Sequence, residues 1–270
     1  MTYRGPLYDY HVHSRFSYDC EAEVDDICAH AIAYGAAGLM FTEHTELEDY
    51  NGYDYIVDYQ GLTDALKSAR QKFPQLILGC GTELGLRSRI NERCQQEIDR
   101  HPWDFVIGST HFLDDKVVFN GEFSVGRPDE AVYRDFLQKT YQALVIAPRF
   151  DVLGHLDLIR RDASIKNKEL PWQSFPDELD AILRLLIHRG IGLEINTAAL
   201  RYGLTSMHPH VSVLKRYREL GGEILTCGSD CHHAIHTCCD LREAYQKAVD
   251  CGFRYISTFE QRVLKQLPIK

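Results

Sequence analysis

The stretch LYDYHVHS, residues 7–14, starts as a short apolar run and closes on two histidines one residue apart. Residues 7–12 read as a buried strand. The two-residue period of a strand turns the His11 and His13 imidazoles to one face, where they can share one cation.

The same composition recurs down the chain. Six further apolar runs (38–42, 76–81, 105–109, 152–154, 192–195 and 223–227) each end beside metal-binding side-chain types. In order these are Glu43 with His44, Glu83, His111, His155, Glu194, and Asp230 with His232. Imidazole and carboxylate suit zinc, manganese or iron, and a parallel barrel collects such groups at its strand ends to build one site from distant sequence. Stretches of helical spacing (23–34, 62–73, 90–100, 130–146, 178–189, 211–220 and 241–251) lie between the runs, and Gly35, Gly190, Gly221 and Gly252 sit where helices should stop. Strands alternating with helices predict a parallel sheet. Without a G-x-G-x-x-G turn, seven units suit a closed or nearly closed barrel better than a dinucleotide-binding sheet. The expected fold is α/β, a distorted TIM-like (β/α)7 barrel, in a single domain over residues 1–270. The longer connections, 45–61, 112–129, 159–176 and 197–210, all follow strands and should share the catalytic face.

Composition narrows the partners. A net charge of −9 argues against a polyanionic partner, because nucleic-acid binding needs lysine and arginine against phosphates. A small molecule is expected, with no nucleic acid and no membrane; the oligomeric state stays open. No stretch is apolar and long enough for a membrane span, and residues 1–5 lead into a strand without a secretory signal, so a cytoplasmic location is expected. Nine scattered cysteines without a C-x-x-C pair read as reduced, mostly buried thiols. Cys231 should point away from its neighbours Asp230 and His232 and serve packing.

The motifs DYHVHS (9–14), FTEH (41–44), GTE (81–83), GSTHF (108–112), GHLD (154–157) and GSDCH (228–232) resemble, in order and spacing, those of the polymerase and histidinol phosphatase (PHP) superfamily of metal-dependent phosphoesterases. The likeness covers nearly the whole chain and is greatest to the monofunctional histidinol-phosphate phosphatase branch. It implies a distorted seven-unit barrel with a three-metal site. Carried over residue by residue, it implies one ion on His11, His13, Glu83 and Asp230, a second on Glu83, His111 and His155, and a third on Asp19, His44 and His232. Asp19 departs from superfamily members that carry histidine there. Glu83, Asp230 and His232 are taken as catalytic, and the three ions as zinc, manganese or iron.

A phosphate monoester dianion repels hydroxide and has a poor alkoxide leaving group, so the expected reaction is attack on phosphorus by a metal-bridging hydroxide, with two ions clamping the phosphoryl oxygens. The implied activity is hydrolysis of L-histidinol phosphate to L-histidinol and phosphate, in histidine biosynthesis. Arg160 and Arg161 are the expected phosphate clamp. Glu194 and Asn196 are candidates for support of the ligands or contact with the substrate's amine or imidazole, and Glu43 is a candidate for substrate binding. His208 and His210 form a second H-x-H, but Pro209 between them, in a loop leading to a helix, argues against metal binding; His233 and His236 have no slot in the pattern, and His30, His101 and His188 read as surface residues or caps.

Three rivals remain at this level. One is a PHP-type phosphodiesterase or nuclease acting on nucleic acid or another small phosphoester. Another is an amidohydrolase-type enzyme, disfavoured because no lysine ends the fourth strand. The last is a non-catalytic protein with a structural metal cluster, disfavoured because structural zinc is normally closed by four cysteine-rich ligands.

Overall fold

The computed structural model describes residues 3–48 and 52–269; residues 49–51 of the expected 45–61 loop, residues 1–2 of the N-terminal stretch and residue 270 lie outside the described residues. Its strands are β1 (Leu7–Val12), β2 (Ala36–Thr45), β3 (Ile77–Gly85), β4 (Phe105–Ser109), β5 (Phe112–Leu113), β6 (Lys116–Val117), β7 (Val152–Leu153), β8 (Gly192–Asn196), β9 (Leu225–Gly228), β10 (Tyr255–Glu260) and β11 (Val263–Pro268). The helices are α1 (Val24–Tyr34), α2 (Tyr59–Lys72), α3 (Asn91–Arg100), α4 (Asp129–Ile146), α5 (Pro176–Arg189), the single turn α6 (Ala198–Arg201), α7 (Val211–Glu219) and α8 (Leu241–Asp250). Seven strands form one parallel sheet in the order β1-β2-β3-β4-β7-β8-β9, the nearly closed TIM-like barrel that the sequence predicts.

Local chemistry sets the elements. Helix α1 buries Val24, Ile27, Cys28 and Ala31, the i, i+3, i+4, i+7 stripe of a helix with one face on a core. It stops at Gly35, whose φ of 86° is a left-handed cap; Gly190 ends α5 in the same way at φ 66°. Strands β2 and β3 run farther than the apolar runs indicate, to Thr45 and Gly85, so Glu43, His44 and Glu83 belong to the ladder, with His44 paired to Glu83.

Strand β1 carries the decisive irregularity. Asp9 pairs with Leu39 and Val12 with Phe41, so β1 spends one residue more than β2 over the same span, which is a bulge. Strict alternation would separate Tyr10 from His11 and His13. With the bulge, Tyr10 joins the apolar floor of Met40, Phe105, Ile107, Val152 and Phe259, while His11 and His13 both reach the opposite rim.

Where β9 meets β1 the ring closes without a continuous ladder. Asp230 N–H donates to His11 O at 2.7 Å, and His13 N–H to Cys231 O at 3.1 Å. Lower down, side chains satisfy the facing backbone groups, which could not stay buried unpaired. The Asp9 carboxylate accepts from Ser229 N at 2.8 Å and Cys238 N at 2.9 Å. The Tyr245 hydroxyl accepts from Tyr8 N at 2.9 Å and donates to Tyr8 O at 3.1 Å. Ser257 Oγ, on the β10–β11 hairpin, accepts from Leu225 N at 3.0 Å. That hairpin, which periodicity did not announce, caps the floor: Phe259 packs on Phe105 at 4.9 Å and its N–H donates to Tyr10 Oη at 2.8 Å. Among the described residues no helix is long and apolar enough to cross a membrane.

Candidate metal centre

All nine expected ligands meet at the C-terminal rim. Glu83, wholly buried, stands in their middle. Its Oε2 lies 3.0 Å from His44 Nδ1, 3.2 Å from His11 Nε2 and 3.4 Å from His13 Nε2. Its Oε1 lies 2.9 Å from His155 Nε2 and 3.2 Å from His111 Nε2. Asp230 Oδ1 is 3.5 Å from His13 Nε2 and 3.8 Å from His11 Nε2. Asp19 Oδ2 stands 3.4 Å from both His44 Nε2 and His232 Nε2.

Four of these atoms, His11 Nε2, His13 Nε2, His44 Nδ1 and Glu83 Oε2, are buried and make no hydrogen bond in spite of their closeness. Buried polar atoms are rarely left so, since each forfeits its hydration. Lone pairs that converge without bonding one another are what a cation needs, and this donor set fits divalent zinc, manganese or iron.

The rear nitrogens are anchored. His11 Nδ1 bonds Glu194 Oε1 at 2.7 Å, His13 Nδ1 bonds Ser17 Oγ at 3.0 Å, and His111 Nδ1 bonds Glu46 Oε1. An Nδ1–H donated backward leaves the Nε2 lone pair facing the cluster, the usual way an outer partner fixes a metal-binding imidazole.

Electrostatics inside the metal-free cluster follow from burial and mutual charge. Burial works against the His13 imidazolium and, with His44 and His232 beside it, holds its pKa well below the ordinary value. For His11 burial is outweighed by Glu194, Glu83 and Asp230, and the pKa stands well above the ordinary one. Burial also opposes charge on His111, yet Glu83 and Glu46 push it up to about 9. Burial penalises the Glu83 and Asp230 carboxylates too, but the imidazoles around them keep both pKa values well below the usual range. The carboxylates stay ionised and demand nearby positive charge, as protons or as metal.

Several expected substrate contacts need correction. Arg160 is wholly buried and its guanidinium is spent on Asp157 Oδ2 (3.0 Å), Lys168 O (2.7 Å), Met207 O (3.1 Å) and Ser206 Oγ (2.7 Å). It braces loops and cannot clamp phosphate. Arg161 does face the cavity: its NH2 bonds Asp230 Oδ2 at 2.9 Å, and the guanidinium lies 4.4 Å above the Tyr202 ring. Glu43 is a support, accepting from Ser14 N (2.9 Å), Ser14 Oγ (2.5 Å) and Ser17 Oγ (2.6 Å), which holds the turn behind His13. Glu194 binds His11 and accepts from His155 N at 2.8 Å, while Asn196 Nδ2 bonds Glu194 Oε2 (3.1 Å) and Asp230 Oδ2 (3.3 Å). Both orient ligands from behind and neither lines the cavity. Cys231 is buried away from the cluster, its thiol 3.6 Å from Thr237 Oγ1 and pushed up to about 12 by burial.

Sequence reasoning missed Glu46, Ser17 and His208. His208 Nδ1 bonds Asp157 Oδ1, and its Nε2 accepts from Arg161 Nε at 3.2 Å, so a buried neutral imidazole aims Arg161. Burial, the dominant effect, lowers its pKa to about 4. A motif slot could not have revealed it, because its partners come from another loop.

The cluster floors a cavity of about 380 Å³, walled by Tyr18, Phe119, Asn120, Glu122, Arg161 and Tyr202.

Comparison with known proteins bears on this site. The model of the PHP domain family matches residues 9–198. The histidinol-phosphatase of Lactococcus lactis subsp. lactis is 29% identical over 253 residues, covering 93% of each chain. A crystal structure of histidinol phosphate phosphatase from that organism, complexed with zinc, L-histidinol and phosphate, superposes with a TM-score of 0.88 at 27% identity, covering 96% of this chain and 98% of that one. A solved protein from Listeria monocytogenes, at 18% identity, shares the fold with a TM-score of 0.70 over 85% of this chain and 96% of its own.

Proposed function

The chain belongs to the PHP family, and on that premise we propose that it is a metal-dependent phosphomonoesterase, a histidinol-phosphatase that hydrolyses L-histidinol phosphate to L-histidinol and phosphate. The observation that carries this reading is the meeting of five imidazoles on the two oxygens of Glu83. A bridging carboxylate with ring nitrogens on both sides can hold neighbouring divalent ions, and the relative in Lactococcus binds zinc, histidinol and phosphate in the same fold.

As the family resemblance implies, His11, His13, Glu83 and Asp230 would hold one ion, Glu83, His111 and His155 a second, and Asp19, His44 and His232 a third, and the distances among these atoms support it; zinc, manganese and iron all suit the donors. When bound, such ions supply positive charge for phosphoryl oxygens and make water a stronger acid at neutral pH. The chain's own residues do the rest. Arg161, aimed by His208, would bind a phosphoryl oxygen through a charge-assisted hydrogen bond. Asp230, held at Oδ2 by Asn196 and Arg161, keeps its Oδ1 turned to the imidazoles, where it would ligate. Leu158 and the aromatic wall line the approach to the rim. Nine free thiols, eight of them buried, suit a reducing compartment such as the cytoplasm.

The test is phosphate release from L-histidinol phosphate, glucose 6-phosphate and AMP, with zinc, manganese or iron supplied in turn. The reading expects kcat/KM for histidinol phosphate to exceed the others by about 100-fold or more, the scale on which polar recognition discriminates. Equal rates on all three would leave a phosphatase without this substrate.

A further inference from the structure

One wall of the cavity has a charge that metal binding does not use. Strands β5 and β6 pair as an antiparallel hairpin, closed by Asp114 and Asp115 at φ 50° and 59°, values aspartate tolerates in a two-residue turn. Val118 N–H, at its exit, donates to His111 O at 3.0 Å and ties the hairpin to the rim. The chain then brings Phe119, Asn120 and Glu122 to the cavity. Asp19, Glu83 and Asp230, the other carboxylates lining it, stand among the imidazoles. Glu122 stands apart from them. Glu122 is exposed; its Oε2 accepts from Val117 N at 3.1 Å and its Oε1 from Asn120 Nδ2 at 3.0 Å, both neutral donors that fix its direction, and among the described residues no cationic side chain pairs with it. A carboxylate has about four acceptor positions, so two remain for a ligand.

The cavity that Glu122 lines also carries aromatic rings open to solvent. Tyr18, Phe119 and Tyr202 are 56%, 42% and 62% exposed and so within reach of a ligand. The Phe119 ring stands edge-on to His111 at 6.4 Å. Carboxylate with ring faces is the chemistry that recognises an organic cation. Arg161, stacked on Tyr202, lines the same cavity together with the donor set for cations, and the two suit a phosphate.

The geometry points to Glu122 as the specificity anchor for a phosphomonoester that carries an ammonium group beside its ester carbon, with Phe119 and Tyr18 packing the remainder of the tail. The inference rests on the proposed function and goes past it, because it says why the cavity would prefer a zwitterionic ester to neutral-tailed ones. It also places a binding residue in the 112–129 loop, outside every ligand motif.

Parent protein and Glu122→Gln are compared on L-histidinol phosphate, O-phosphoethanolamine and p-nitrophenyl phosphate. Glutamine keeps the shape and removes the charge. The kcat/KM ratio of histidinol phosphate to p-nitrophenyl phosphate should fall about 10- to 100-fold, mostly through KM, the cost of one hydrogen bond between charged groups. Glu122→Lys should lower it further. A ratio that stays within twofold in both variants, or a loss shared equally by all substrates, would overturn the inference. A parent inert towards histidinol phosphate but active on p-nitrophenyl phosphate would instead overturn the proposed function. Glu122 would then be judged on O-phosphoethanolamine against ethyl phosphate, a preference that Glu122→Gln must abolish.

Discussion

The two ends of the barrel are built from the same strands and obey opposite rules. The floor is apolar: Tyr10, Met40, Phe105, Ile107, Val152 and Phe259 fill it, and the polar atom of Tyr10 is satisfied by Phe259. The rim, a few residues farther along each strand, gathers imidazoles and carboxylates whose buried lone pairs go unsatisfied. Burial of that kind costs free energy, so the rim draws its stability from elsewhere, and the floor is where the packing lies. Function at one end is carried by folding at the other.

That division can be broken residue by residue. The largest effect is expected at the rim's centre. Glu83→Gln removes the charge shared by both halves of the cluster and should lower kcat/KM by about 10³-fold or more, several kcal/mol of charge stabilisation. Metal content, read by elemental analysis, should fall with it while the circular dichroism spectrum persists. A variant that keeps both metal and turnover would remove Glu83 from the centre.

At the floor the pattern should invert. Phe105→Ala deletes a wholly buried ring and should cost about 3–5 kcal/mol of stability in denaturant titration. Turnover well below the melting temperature should change little. If kcat collapsed before stability did, the ends would not be separable.

Arg161→Lys is expected to be milder. A point charge replaces a planar fork held by His208 and Asp230, and inhibition by inorganic phosphate should weaken about tenfold. Arg160→Lys, by contrast, should reduce stability and leave the phosphate inhibition constant in place.

The smallest effect is in pH. His111 rises from its ordinary 6.5 to about 9 in the metal-free rim, so folding binds a proton there that the unfolded chain releases. That contribution is full below pH 6.5 and lost as pH climbs through about 9. Chelator-treated protein should therefore melt some degrees lower at pH 9 than at pH 6.5. Metal-loaded protein, whose coordinated imidazoles hold no such proton, should show less of this slope, and equal slopes would contradict the assignment.

Most of the barrel was legible because ligand types recur at the ends of apolar runs, and buried parallel strands leave that imprint. The bulge in β1 was not, since an extra residue in a ladder has no compositional signature; simple alternation reached the right pairing of His11 with His13 but could not have placed Tyr10 below them. Nor could sequence separate Arg160 from Arg161. They lie in one 3-10 turn, Leu158–Arg161, where successive side chains diverge by about 120°, sending one into the protein and its neighbour into the cavity. Glu43, Glu194 and Asn196 have the right types at the right strands, and only the tertiary arrangement shows them behind the ligands. The β10–β11 hairpin, which seals the floor, carries no motif at all.

Removal and return of metal tests the central claim most directly. Protein dialysed against a chelator and assayed for phosphate release from L-histidinol phosphate should be inactive. Zinc or manganese titrated back should restore turnover as three ions bind per chain, the occupancy proposed for the cluster. Undiminished turnover by protein shown to be free of metal would contradict the account.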